Sequence, residues 1–111
     1  MKITINTGLT INPNDCIFDN LHPKYQIEKV RQLVNKNTDF ILNTNSDYII
    51  REINIMIMEK IIDYKNVFVF EDSVKIKSDK FGFSVISIDT VIDEQHERSS
   101  NIFYKLKYEN T

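Results

Sequence analysis

At 111 residues the chain is long enough for one domain with a real core and too short for two, and its 41% apolar and 27% charged residues are ordinary for a globular chain. Fourteen Lys and Arg against 16 Asp and Glu give a net charge of −2 with no basic run, which argues against a partner made of duplex nucleic acid. The single cysteine, Cys16, excludes an internal disulfide and a multi-cysteine zinc site, and reads as a small semi-buried apolar residue suited to the cytosol.

The first element is "KITIN", where Ile3 and Ile5 alternate with polar neighbours at the period of a half-buried strand. "TGLTINPND" follows with Gly8 and Pro13 as turn residues, and a weakly signalled strand around Leu9 to Ile11. A helix is predicted from Pro23, because a proline at the first helical position has no amide to waste. Its residues Ile27, Val30, Leu33 and Val34 share a face, and Asn35 to Thr38 close it. "DFILNT" is a continuous apolar run, the pattern of a strand buried on both faces.

Ser46 is a good N-cap for a second helix, predicted to run to about Asp63. Apolar residues surround much of that cylinder, so it is expected to be buried in a larger body or to meet a partner. Its apolar stretch from Ile53 to Ile62 is too short and too charged to span a bilayer, and no signal peptide opens the chain. A cytoplasmic protein without a membrane partner is the expectation. "VFVFED", "VKIKSD" and "FSVISI" then read as three short strands, with Gly82 in one of the turns. Ser87 or Asp89 caps a last helix to about Tyr108, on which Val91, Ile92, Ile102, Phe103 and Leu106 form a stripe.

The expected fold is α/β over a single domain, 1–111. A small, partly parallel sheet with packed helices (21–65) precedes a short antiparallel β-element and a C-terminal helix (66–111). Where Ile3 and Ile5 pair is the least determined feature.

Three blocks lie in a recognisable order. They are "LHPKYQ" (Leu21 to Gln26), "FILNTNSDYIIREINIMI" from Phe40, and "FGFSVISIDTVIDEQHERSSNIFYKL" from Phe81. Together they resemble the C-terminal half of the ATP-binding-cassette-type AAA ATPases of bacterial anti-phage systems and repair proteins. The first resembles the family's D-loop, the second its last core strand and switch-histidine turn, the third its closing tail. The resemblance implies that Leu21, His22, Pro23, Lys24 and Tyr25 sit exposed at an interface, bordered by Gln26. It places Asn45 at the switch-histidine position, followed by Ser46.

The departures matter as much. With only Gly8 and Gly82 the chain cannot build the family's Gly-rich phosphate loop, and the signature motif is missing. The family's magnesium-binding Asp and water-polarising Glu fall on Asp15 and Cys16 in one alignment, or on Asn12 and Pro13 in another; neither keeps the catalytic carboxylate. An amide at Asn45 cannot accept a proton as imidazole does. The chain is therefore expected not to be an ATPase on its own, and to use no cofactor.

Plainer readings stand beside these. Asn45 could be an ordinary turn residue, and "LHP" could simply start a helix. Asp93, Glu94 and Glu97 with His96 read as a wetted helix face rather than a metal site, and the five scattered tyrosines do not form a base-stacking platform. Two functions are expected to compete. One is an interaction protein that binds or regulates a genuine ATPase, or assembles with itself. The other is a subunit of a split ATPase that supplies D-loop and switch residues to a shared site. A third and plainer expectation is a truncated remnant with no selected role, and the phage-defence setting rests on the resemblance alone.

Overall fold

The structure, a computed structural model, describes residues 1–109. Strand β1 (Ile3–Thr7) is followed by a short 3-10 turn at Pro13–Asp15 and by helix α1 (Pro23–Asn35). Strand β2 (Phe40–Asn43), helix α2 (Asp47–Met58), strands β3 (Val67–Glu71) and β4 (Val74–Ile76), and helix α3 (Ile86–Glu109) complete the chain. The sheet order is β2-β1-β3-β4, with β1 parallel to both neighbours and β4 antiparallel to β3. Ile3 and Ile5 thus lie on the central strand, in register with Phe40 and Leu42 on one side and Val67 and Val69 on the other.

One sheet face carries the core. Ile3, Ile5, Leu42, Val67 and Val69 pack with Val30 and Val34 of α1 and with Ile49, Ile50, Ile53, Met56 and Ile57 of α2. The alternation of buried and half-buried residues along β1 follows from this, since only one face is covered. Thr4, Ile41 and Phe68 form a row across the opposite face, which is bare: Ile41 is 71% exposed, and Lys2 and Lys75 lie over the Phe68 ring. The expectation that "DFILNT" is buried on both faces is therefore wrong. An unbroken apolar run cannot distinguish two covered faces from one, and among the described residues no helix covers the second.

The chain steps from β1 to β2 in one direction and from β2 back past β1 to β3 in the other, yet α1 and α2 share a face. The two crossovers consequently have opposite hands, and one departs from the usual right-handed connection.

Other boundaries differ too. Helix α2 stops at Met58 rather than near Asp63, because Lys60 turns left-handed (φ 62°) and the amides of Ile61 and Ile62 fold back onto the Met56 carbonyl. That hook buries Ile62 in the core. "FSVISI" is not a strand: Phe83 and Val85 are buried singly, and α3 begins at Ile86, ahead of both expected caps. Asn54 fixes this segment by donating to the Phe83 carbonyl (2.9 Å) and accepting from its amide (3.0 Å). Leu9 to Ile11 form no strand; Leu9 and Thr10 belong to a turn held by Asp72, whose carboxylate accepts from the Thr10 amide (2.7 Å) and hydroxyl (2.8 Å). Among the described residues, no helix is long and apolar enough to cross a membrane.

Candidate functional site

Of the residues singled out in the sequence, Leu21–Tyr25, Asn45 and Ser46 meet at the carboxyl edge of β1 and β2, where open α/β sheets usually place ligands. Side-chain hydrogen bonds lace that edge together, with Asn45 itself exposed. The Asn45 side-chain oxygen accepts from the Thr7 hydroxyl and the Gly8 amide, each at 2.8 Å, and its Nδ2 donates to the Gly8 carbonyl at 3.0 Å. One side chain thereby satisfies both backbone groups of Gly8 and joins the ends of two strands. Donor and acceptor are both required, and a carboxamide supplies the pair at this spacing.

Asp19, which no motif marks, completes the lacing. Its carboxylate accepts from the Thr44 hydroxyl (2.6 Å) and from the Asn45 amide (2.8 Å). Thr44 is fully buried and in turn accepts from the Ser46 amide at 3.0 Å. Gln26 closes the circuit: its Nε2 donates to the carbonyls of Asp19 (3.1 Å) and Leu21 (2.8 Å), and its Oε1 accepts from the Ser46 hydroxyl. Gln26 is buried, so it braces the site rather than bordering an exposed patch as expected. Among the described residues no buried side-chain polar atom lacks a partner.

Ser46 N-caps α2, its oxygen accepting from the Ile49 amide at 3.5 Å, and Asp47 sits in the first turn where the helix dipole favours a negative charge. At α1 the cap is His22, whose Nδ1 accepts from the Lys24 amide at 3.2 Å, with Pro23 beginning the helix. The His22 and Tyr25 rings meet edge to face at 6.2 Å. His22, Lys24 and Tyr25 are exposed, while Leu21 and Pro23 are half-buried. The D-loop-like segment and the switch-like turn are thus neighbours, tied through Asp19 and Gln26.

Asp15 and Cys16 are not at a strand end. Asp15 is exposed on the 3-10 turn, and Cys16 follows it with its thiol 3.8 Å from the Asn12 carbonyl. Cys16 is buried, and burial, then the nearby Asp19 charge, pushes its thiol above the ordinary value. Burial and the raised pKa both favour the neutral thiol, which suits a packing group. Asn12 caps the same turn, and Pro13 opens it.

Another buried charge lies away from this edge. Glu52, on the core side of α2, accepts from Arg31 of α1 at 2.7 Å, and Arg31 also reaches Glu59 at 3.2 Å. The hydrogen bond to Glu52 holds the Arg31 guanidinium above its ordinary pKa. The sequence carries a signal for it: Glu52 stands three residues after Ile49 and four before Met56, on the apolar side of its helix. A scan against protein-family models and searches of curated proteins and of solved structures return no match.

Proposed function

We propose that this chain is an interaction protein, an ATPase-like half-lobe without catalytic activity of its own that docks on a protein partner through the edge formed by Leu21–Tyr25 and the Asn45 turn. The partner class, a genuine ATPase, comes from the sequence resemblance. The observation that carries the reading is the commitment of Asn45: its side-chain oxygen accepts from Thr7 and Gly8 and one of its two Nδ2 hydrogens goes to the Gly8 carbonyl, which holds the side chain as a latch at the position that would face a nucleotide phosphate. Beside it, His22 and Tyr25 stand exposed as an aromatic pair on a helix start stiffened by Gln26, the kind of rigid anchor that dominates interface energetics.

The test is affinity capture from the native cell, with and without ATP, using the wild-type chain and a His22→Ser, Tyr25→Ala variant. Serine preserves the cap that alanine would remove. The variant is expected to fold normally and to lose the partner. If it captures the same partner equally well, the docking edge lies elsewhere.

A further inference from the structure

We propose that a second copy of this chain docks on α3, the two helices running antiparallel, with Ile102 and Leu106 of each copy seated in the groove at the base of the other's α3. The inference does not rest on the ATPase reading. No residue along the 24 positions of α3 is buried, and the molecule is 59 Å long against 30 and 28 Å across. Only the base of the helix is anchored, through the Ser87 amide on Glu71 (2.9 Å) and through Ile88 against the core. Ile102 and Leu106 are 59% and 57% exposed, with Phe103 exposed between them. A helix that holds apolar residues such as Ile102 and Leu106 largely in water is marginal on its own, so this stripe is built to be covered.

The pattern of the stripe identifies the cover. Ile88, Ile92, Gln95, Ser99, Ile102 and Leu106 alternate at spacings of four and three, the seam of a two-helix coiled coil. Their order reads the same from either end: two apolar, two polar, two apolar. Reversed about Glu97, the seam sets Ile88 against Leu106, Ile92 against Ile102 and Gln95 against Ser99 of the second copy. Such self-complementarity is what a two-fold interface requires of one surface.

A parallel pair would match like with like as well, but the body of the molecule argues against it. The groove beside the helix base, about 400 Å³, has Leu9, Ile11, Val91 and Ile92 on its apolar side and Gly8, Asn45 and Asp47 on the other, so a second copy seated there would cover the Asn45 turn as well. It has room for side chains from a helix tip, not for a second helix base with its own sheet attached. Antiparallel pairing delivers the tip and separates the two bodies. The same register brings the two Arg98 side chains close across the axis, so it predicts that Arg98→Gln tightens the pair.

Sedimentation equilibrium is expected to show a reversible dimer. Ile102→Asp and Leu106→Asp, both at exposed positions, should weaken it at least about tenfold while leaving the melting of the sheet domain unchanged, and Arg98→Gln should strengthen it. In a Cys16→Ser background, mixing Gln95→Cys chains with Ser99→Cys chains should give a mixed disulfide under mild oxidation, with little from either alone. A monomer at about millimolar concentration, a dimer indifferent to Ile102→Asp and Leu106→Asp, or ready disulfide formation by Gln95→Cys alone would each overturn the proposal.

Discussion

Replacing Asn45 by alanine removes three hydrogen bonds at once, two accepted from Thr7 and Gly8 and one donated to the Gly8 carbonyl. Each is worth about 1 kcal/mol net, and Gly8 is a buried residue whose amide and carbonyl lose these partners, so the expected loss is about 2–3 kcal/mol. Each kcal/mol moves the midpoint of a domain this size by roughly 4 °C, giving a fall of about 8–12 °C in Tm. Asn45→His, which restores the residue of the resembled ATPases, should fall nearly as far, because a neutral imidazole places its donor and acceptor on opposite sides of the ring. Thermal denaturation followed by circular dichroism measures this, with Asn101→Ala on the exposed face of α3 as the silent control. An Asn45→Ala protein melting within about 2 °C of wild type would mean that the amide latches nothing, since surface substitutions shift stability by no more than about 0.5 kcal/mol.

Gly8 sits at φ 115°, and a side-chain carbon there would lie 2.4 Å from the Asp72 carboxylate and 2.8 Å from its backbone nitrogen; Gly8→Ala should therefore lower Tm further than Asn45→Ala does. Asp72 itself has its pKa lowered, chiefly by the Thr10 amide. Its contribution is thus present above the ordinary carboxylate range and lost as pH falls through the depressed value, so the Tm of Asp72→Asn should approach that of wild type in acid. For the interhelical pair, Arg31→Ala strands Glu52 in a buried site whereas Glu52→Met leaves Arg31 half in water, so the first should melt lower than the second. Cys16, buried and with its pKa raised, should react with iodoacetamide in native protein far more slowly than in urea.

Helices α1 and α2 start where the sequence places them, because Pro23 and Ser46 act locally through a fixed φ and a side-chain cap. Strands β3 and β4 were legible from their alternation, and so was the mixed α/β class. The topology was not. Nothing in "KITIN" says that it is the central strand, since its partners Phe40–Asn43 and Val67–Glu71 are far along the chain. The open sheet face is not legible either, as burial of Ile41 depends on a covering element the sequence does not mark. At the candidate site, Asn45 and Ser46 stood out and Gln26 was marked only as the border of an exposed patch, while Asp19 lies in an unremarkable context; tertiary contact gives Asp19 and Gln26 their bracing role. "FSVISI" misled for a related reason: its burial comes from Asn54 and from packing against α2, not from strand pairing.

Central to the proposed function is an ATPase-like outline without an ATP site. Calorimetric titration of the isolated protein with magnesium-ATP tests it most directly. With no phosphate loop, and with the Asn45 amide committed to Thr7 and Gly8, little remains but helix N-termini to hold a triphosphate. The expected result is no binding tighter than about millimolar, roughly −4 kcal/mol, and saturable micromolar binding would contradict the claim.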